Sequence, residues 1–313
     1  MKIVVTGATG FIGSSLASYL LSCGHEILKF SRRDLFRKDL QVGAIDYTNI
    51  PLLEKQLIGV DVIVHLAGIA HQTENKLSFD NYIRANVDTT TSLATAAKTV
   101  GVKRIIFVSS IGVNGNDTNG RGPFSEEDEP RPTNFYSLSK LMAEKSIADV
   151  LKNSQTEFVI LRPPIIYGAN CPGNFRSLLK LCSIIPILPF GSLNVKKSMI
   201  YIDNFLDAIA QCLSSPVVAN QVFIVADFQV LRLSEIITIL LTQFHGAFTK
   251  NLAVAPGFLG ALVGAIGRRG QWSKFASTLE VDPTKFCKMT KWSPLVNPRE
   301  GIQLSAKGFR ENA

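Results

Sequence analysis

The first fourteen residues, MKIVVTGATGFIGS, constrain the fold of this chain more than any other stretch. Lys2 to Thr6 is a short β-branched run, which is typical of a buried parallel strand. Gly7, Gly10 and Gly13 follow at three-residue intervals, and the apolar spacing from Phe11 onward predicts a helix. A strand that turns through glycines into a helix leaves free backbone N–H groups at the helix N-terminus, where they bind a pyrophosphate. The stretch therefore predicts a dinucleotide site rather than an ordinary strand–helix turn.

The rest of the first half alternates between predicted strands and helices. The strands are expected at 25–30, 43–46, 60–66 and 103–108, and the long helices at 79–100 and 136–151. This alternation predicts an α/β fold with a Rossmann-like, doubly wound parallel sheet that binds its ligand at the carboxyl ends of the strands. This alternation weakens from about Arg162 onward. We therefore expect an NAD(P)-binding domain at 1–165, with a strand and a helix returning to it near 199–228, and a smaller substrate-binding lobe made mainly of 166–313.

The residues after the second strand bear on the choice of cofactor. An enzyme that prefers NAD usually has an acidic residue there, bonded to the ribose 2′-hydroxyl. This chain has Ser31, Arg32 and Arg33 instead. A hydroxyl and two guanidinium groups suit a 2′-phosphate, so NADP(H) is favoured and NAD(H) stays possible. Asp46, after the third strand, is expected on the adenine side.

A catalytic set follows the fifth strand, which ends in Ser109 and Ser110. Tyr136 and Lys140 lie four residues apart, so they share one face of the helix that they open. A lysine ammonium near the phenol is expected to lower the pKa of Tyr136 from about 10 toward neutrality, as a general acid/base requires. Asn86, inside the earlier long helix, is expected to bond the loop of a neighbouring strand.

Several stretches together resemble one family nearly end to end. They are TGATGFIG (6–13), HLAG (65–68), FVSSIGVNG (107–115), YSLSK (136–140), LRPPIIYG (161–168), SMIYIDN (198–204) and KWSP (291–294). The chain resembles the extended short-chain dehydrogenase/reductases, and among them the NAD(P)-dependent nucleotide-sugar epimerase/dehydratase group. The resemblance implies that Tyr136 is the acid/base, that Lys140 binds the nicotinamide ribose, and that Ser110 holds the C4 oxygen of the sugar. The further cofactor contacts that it implies are Gly7, Thr9, Gly10, Phe11, Ile12, Gly13, Leu66, Ala67, Gly68, Asn86, Ser109 and Pro163.

The substrate side departs from the family pattern at three places. Dehydratases of the family carry Asp-Glu after the serine, where this chain has Ile111-Gly112, so elimination of water from the sugar is not expected. Asn174 would take over a diphosphate contact that many epimerases make from the position of Ile165. Lys197 stands where the family often has an arginine on the diphosphate. His71 and Ile111 are the other expected substrate contacts.

The expected reaction is hydride and proton transfer at C4 of a UDP-hexose. The favoured form is reduction of a UDP-4-keto-6-deoxy-N-acetylhexosamine in surface polysaccharide biosynthesis, because an NADP(H) enzyme exchanges its cofactor with the cellular pool. The alternative is a UDP-glucose or UDP-N-acetylglucosamine 4-epimerase that retains NAD. A non-catalytic dinucleotide-binding regulator is a third possibility, against which the complete set of Ser110, Tyr136 and Lys140 argues.

Composition limits the partners. A hydrophobic content of 46% with 19% charged residues indicates a packed core, and the net charge is +8. Basic runs are short, so no nucleic-acid contact is expected. The cysteines lack zinc spacing, so no metal is expected. No segment is long and apolar enough to span a membrane, and a cytoplasmic location is expected. For the segment at 257–267, which Arg268 and Arg269 follow, a packed helix is favoured over a membrane-touching one. A homodimer through the two long helices is possible.

Overall fold

The computed structural model describes residues 1–31, 42–69, 77–265, 272 and 275–311. Seven strands form the central sheet: β1 (Lys2–Thr6), β2 (Glu26–Ser31), β3 (Val42–Ala44), β4 (Val62–His65), β5 (Arg104–Val108), β6 (Glu157–Arg162) and β11 (Gln221–Ile224). All of their pairings are parallel, in the order β11-β6-β5-β4-β1-β2-β3. The order reverses between β1 and β4, which is the position where a doubly wound sheet opens a ligand crevice. The predicted Rossmann-like fold is confirmed.

Helices cover both faces of the sheet. They are α1 (Phe11–Ser22), α2 (Ile50–Leu57), α3 (Phe79–Tyr82), α4 (Thr89–Val100), α5 (Phe135–Leu151), α6 (Asn174–Ile184), α7 (Ile202–Gln211), α8 (Leu233–His245), α9 (Pro256–Ala265), α10 (Thr284–Thr290) and α11 (Pro298–Glu311). Side chains alternate across a strand, so Ile3 and Val5 of β1 pack into one apolar cluster and Val4 into the other. This burial on both faces explains the unbroken apolar run of β1.

The predicted long helix at 79–100 is present, but its middle is wider than an α-helix. A π-helical segment, Ile83–Asp88, joins α3 to α4 and contains Asn86. Such segments are rare and often lie at functional sites. Here the segment brings a buried amide against the loop that follows β4. The departure from a regular α-helix therefore lies at Asn86, the residue for which the sequence predicted a contact with a neighbouring loop.

Short strand pairs organise the second half of the chain. Their members are β7 (Ile165–Tyr167) with β10 (Met199–Tyr201), β9 (Lys196–Lys197) with β12 (Leu231–Arg232), and β8 (Ile187–Leu188) with β13 (Lys250–Asn251). The strand predicted to return to the main sheet does so as β11, which pairs with β6. The largest apolar cluster contains residues from Ile3 to Ala306. The division into domains at residue 165 stays a prediction.

Two further features concern the cysteines and the length of the helices. Cys171, Cys182, Cys212 and Cys287 are buried, and burial raises the pKa of each thiol, so the reactive thiolate form is disfavoured at all four. Within the described ranges, the chain forms no helix with the length and apolar character needed to cross a bilayer.

Candidate functional site

The turn between β1 and α1 is built so that only glycine fits at two of its positions. Gly7 has φ +69°, which favours glycine, and a Cβ on Gly13 would lie 2.3 Å from the Gly7 carbonyl oxygen. Gly10 caps α1 without any side-chain hydrogen bond, and Thr9 and Gly10 are exposed. The N–H groups of the first turn of α1 have no partner within the helix. This close, open turn fits the diphosphate of a dinucleotide.

A pocket of about 230 Å³ opens beside this turn, at the carboxyl ends of the strands. It brings together most of the predicted cofactor and catalytic residues that the structure describes: Phe11, Ile12, Leu66, Gly68, Ser109, Ser110, Tyr136, Lys140 and Pro163. Five further lining residues were missed by the sequence reasoning: Ile69, Val108, Pro164, Ile166 and Pro172. Pro164 and Ile166 lie within LRPPIIYG, so that stretch contained the signal for them.

The catalytic set is positioned by a helix cap and a strand end. Asn134 caps α5 by accepting a 2.9 Å hydrogen bond from the Ser137 N–H, so Tyr136 falls in the first turn. The Tyr136 hydroxyl is hydrogen-bonded to Ser110, which follows β5. The Ser110 Oγ also accepts a 3.1 Å bond from the Gly112 N–H. Helix and strand end thus present a phenol and a serine hydroxyl to the same pocket.

The expectation of a lowered tyrosine pKa is wrong for this structure. Burial raises the pKa of Tyr136 to about 12, and the hydrogen bond from Ser110 opposes this only in part. The Lys140 ammonium donates a 2.9 Å bond to the Val108 carbonyl and lies 4.5 Å from the ring centroid of Phe107. Burial in turn lowers the pKa of Lys140 to about 8, against the influence of Glu144. The loss of water around Tyr136 therefore decides the direction of its pKa shift, not its spacing from Lys140.

A buried ion pair holds α5 against the sheet. Arg162, at the end of β6, donates from Nε to Glu144 Oε1 at 3.0 Å and from Nη2 to Oε2 at 2.6 Å. Its Nη1 donates to Asn114 Oδ1 at 3.0 Å. Both partners of the pair are almost fully buried, with side-chain exposures of 6% and 5%. This pair fixes the position of α5 against β6. Because Glu144 lies one turn after Lys140, the pair also fixes a carboxylate close to the Lys140 ammonium.

Asn86 has the structural role that was expected of it. Its Oδ1 accepts from the Ile69 N–H at 2.7 Å, and its Nδ2 donates to the Ile69 carbonyl and, at 2.9 Å, to Ser139 Oγ. A Cβ on Gly68 would lie 2.8 Å from the Asn86 Oδ1, so glycine is needed there. Asn86 therefore ties the loop after β4 to α5, and both line the pocket.

His65 forms a buried network that the sequence reasoning did not assign. Its Nδ1 lies 2.7 Å from Thr6 Oγ1 and its Nε2 lies 3.0 Å from Thr90 Oγ1. Thr6 Oγ1 also accepts a bond from the Ala67 N–H. Burial, helped by the positive charge of Lys140, lowers the pKa of His65 to about 3. The neutral imidazole thus joins β1, β4 and α4.

Replacing His65 by glutamine is expected to remove a pH-dependent part of the stability. Between pH 8 and pH 5 the unfolded chain binds a proton at His65, near its ordinary pKa of 6.5, that the folded chain excludes. The free energy of unfolding therefore falls by about 2 kcal/mol on this account, and glutamine does not titrate. Urea unfolding at both pH values should show a fall about 2 kcal/mol smaller in the variant. Equal falls would contradict a neutral, buried His65.

One polar atom of the pocket has no protein partner among the described residues. The Ser109 Oγ is buried and makes no hydrogen bond there, although Ser109 lines the pocket. Buried hydroxyls are nearly always satisfied, so this atom is suited to a polar group of a bound molecule. Together with the glycine turn, it indicates that the residues present fit a dinucleotide cofactor.

Other predicted site residues lie away from the pocket. Ile111 is 5% exposed and packs with Phe124 and Val281, so it does not line the pocket as the expected substrate contact would. Asp46 is exposed and accepts bonds from Thr48. The remaining positions are these: Ser31 ends β2, Ala67 is buried after β4, Asn174 is exposed at the start of α6, and the Lys197 Nζ donates to the Ser277 carbonyl. Arg32, Arg33 and His71 fall outside the described residues.

Similarity to known proteins agrees with this arrangement. Residues 3–226 match the NAD dependent epimerase/dehydratase family. A UDP-glucose 4-epimerase of Vibrio cholerae is 36% identical over 98% of this chain and 95% of its own length. An N-acetyl-alpha-D-glucosaminyl-diphospho-ditrans,octacis-undecaprenol 4-epimerase of Escherichia coli O157:H7 is 27% identical over 93% and 87%. The crystal structure of a UDP-glucuronic acid 4-epimerase from Bacillus cereus, in complex with UDP-glucuronic acid and NAD, shares the fold, with a TM-score of 0.78, 23% identity and full coverage of both chains. This chain is therefore a member of the NAD dependent epimerase/dehydratase family.

Proposed function

We propose that the protein catalyses hydride and proton transfer at C4 of a UDP-linked hexose. The observation that carries this is the convergence of Ser110, Tyr136 and Lys140 on one pocket beside the glycine turn of α1. A proton-transferring hydroxyl, a second hydroxyl bonded to it and an ammonium suit oxidation of an alcohol or reduction of a ketone. The relatives described above act on hexoses linked to a diphosphate, according to their names.

Each residue of the set has a distinct part in the proposed reaction. Tyr136 gives or takes the proton on the C4 oxygen, and Ser110, which is bonded to it, holds that oxygen in place. Lys140 keeps a positive charge at the end of β5, where it favours the tyrosinate once substrate closes the pocket. The exposed N–H groups at the start of α1 would hold the diphosphate of NAD(P), and Lys140 and Ser109 would contact its nicotinamide end. When bound, this cofactor supplies the acceptor and donor of the hydride.

Epimerisation is the form of the reaction that we propose first. The two curated relatives described above are named as 4-epimerases, and the Bacillus cereus neighbour contains NAD. Dehydration is disfavoured because Ile111 is buried in an apolar cluster and a Cβ at Gly112 would lie 2.6 Å from Ser137 Oγ. The reduction of a UDP-4-keto sugar with NADPH is the second candidate, which Ser31-Arg32-Arg33 favours.

The substrate is proposed to lie between the pocket and the second half of the chain. Pro164, Ile166 and Pro172 line the pocket, and Asn174 begins α6 directly after them. Lys197 can contact a diphosphate in addition to the Ser277 carbonyl, because an ammonium has three donors. A homodimer through α4 and α5 stays a prediction.

Identification of the nucleotide that co-purifies with the protein separates the two candidates. The protein is denatured and the released nucleotide is identified by mass spectrometry, while the intact protein is titrated with NADH and NADPH. For an epimerase we expect retained NAD and interconversion of UDP-glucose and UDP-galactose, or of their N-acetyl forms, without added cofactor. An empty protein that binds NADPH at least about tenfold more tightly than NADH, and consumes it only with a 4-keto sugar, would overturn epimerisation in favour of reduction.

A further inference from the structure

Among the large apolar side chains that are exposed on the second half of the chain, six come from the two stretches 184–187 and 248–258. Phe248 is 85% exposed, Ile184 66% and Phe258 65%, and the other three are between 39% and 48% exposed. Here they are called the lobe patch: Ile184, Ile185, Ile187, Phe248, Leu252 and Phe258. Exposed apolar residues scattered singly are ordinary, but a contiguous group marks a surface that binds something.

Backbone pairing brings two segments of the lobe patch side by side. Ile187 of β8 pairs with Lys250 of β13, and the Leu252 N–H donates a 2.7 Å bond to the Leu188 carbonyl. Ile184 and Ile185 end α6 just before β8, and Phe248 lies two residues before Lys250. Phe258 is in the first turn of α9, which follows β13 after four residues. Two segments distant in sequence thus lie side by side, and each carries exposed apolar side chains.

The charge around the lobe patch is positive. Arg176, Lys180 and Ile184 are spaced four residues apart on α6, so they share one face, and both basic residues are exposed. Lys250 is exposed beside Ile187. Within the two stretches that contain the patch, 174–188 and 246–258, Arg176, Lys180 and Lys250 are the only Lys, Arg, Asp or Glu residues.

We propose that the lobe patch docks the protein on an anionic lipid bilayer. The isoleucine and phenylalanine side chains enter the boundary between headgroups and acyl chains, while Arg176, Lys180 and Lys250 contact lipid phosphates. A second copy of the chain is a poorer occupant, because a two-fold contact would bring six of these cations into one interface, and the stretches 174–188 and 246–258 offer no carboxylate to pair with them. This departs from the sequence-based preference for a packed helix without membrane contact. The reason is the exposure of Phe248 and Phe258, which sequence alone does not show.

Docking would also place the pocket near the bilayer. Pro172 lines the pocket, Asn174 begins α6, and Ile184 ends it in the lobe patch. Eleven residues of helix span roughly 15 Å at 1.5 Å per residue. The pocket would thus lie within reach of a substrate or product held at the membrane surface. The proposed membrane contact is nevertheless independent of which sugar the pocket takes.

Co-sedimentation with lipid vesicles tests this inference. The intact protein is mixed with vesicles of phosphatidylglycerol and phosphatidylethanolamine, and separately with vesicles of phosphatidylcholine. We expect binding to the anionic vesicles only, and weaker binding at higher ionic strength. The variants Ile187→Ser/Phe248→Ser and Arg176→Gln/Lys180→Gln should each bind at least about tenfold more weakly.

Matched controls separate the lobe patch from general surface effects. Ile58→Ser and Leu295→Ser remove side chains that are 66% and 67% exposed elsewhere on the surface, and Lys145→Gln/Lys152→Gln removes two exposed charges. These controls should bind vesicles as the unchanged protein does, and all variants should keep their turnover in solution. Absence of binding to anionic vesicles would overturn the inference. So would patch variants that bind normally, or that instead break a dimer in size-exclusion chromatography.

Discussion

Replacing Tyr136 by phenylalanine is expected to lower kcat by about 10²- to 10⁴-fold, the range that a positioned general acid or base contributes. The change removes only the hydroxyl that is hydrogen-bonded to Ser110 and leaves the ring in the pocket wall. Cofactor affinity should stay near normal, because the glycine turn and Lys140 are untouched. Steady-state turnover of UDP-glucose or of a UDP-4-keto sugar, together with titration of the cofactor, measures both quantities.

Tyr19→Phe is the matched control for this variant. Tyr19 lies on α1, and its hydroxyl donates a 3.0 Å bond to the Asp207 carboxylate. Burial, together with this carboxylate, raises the pKa of Tyr19 to about 12, as burial does for Tyr136. The control therefore removes a partly buried, hydrogen-bonded tyrosine hydroxyl outside the pocket, and its kcat should be unchanged. Retained turnover in Tyr136→Phe would refute the assignment of the acid/base. An equal loss in both variants would attribute the effect to folding rather than to chemistry.

Replacing Arg162 by methionine is expected to lower the free energy of unfolding by about 3 to 5 kcal/mol, the largest loss of stability that we predict. The variant leaves Glu144 buried, with its side chain only 5% exposed, and without the two hydrogen bonds from the guanidinium. Asn114 Oδ1 loses its donor as well. Urea unfolding followed by circular dichroism measures the change.

Two further variants define what the Arg162 result means. Lys103→Met breaks the pair with Asp61, in which the lysine side chain is 77% exposed, and should cost at most about 1 kcal/mol. Glu144→Leu/Arg162→Met removes both buried charges and should recover much of the loss, since apolar pairs replace buried ion pairs at little cost. A loss in Arg162→Met no larger than that in Lys103→Met would show that water reaches Glu144.

The elements that the sequence predicted best are those whose signal is local. The run from β1 through the glycine turn into α1, and the helix expected at 136–151, depend on backbone sterics and helix period, which neighbouring residues set. The return of β11 to the sheet was also predicted, because its apolar run has strand length. The π-helical segment was not, since the contacts of Asn86 with Ile69 and Ser139 come from distant parts of the chain.

The sequence predicted which side chains meet at the pocket, but not the pKa values that they have there. Ser110, Tyr136 and Lys140 all line the pocket, and their catalytic roles stay a prediction. The direction of the tyrosine pKa shift was wrong, because the Lys140 ammonium faces the Val108 carbonyl and burial dominates. Ile111 was expected to contact substrate but packs into an apolar cluster with Phe124.

The sequence by itself determined the order of strands and helices, the glycine turn and the chemical groups of the site, because these depend on residues close together in the chain. The tertiary structure alone decided which of these groups lose water. It buried His65 between Thr6 and Thr90, enclosed Arg162 with Glu144, and left Phe248 and the rest of the lobe patch exposed. Burial is a sum over neighbours from the whole chain, and it sets the protonation of each group and the surface that can bind a membrane.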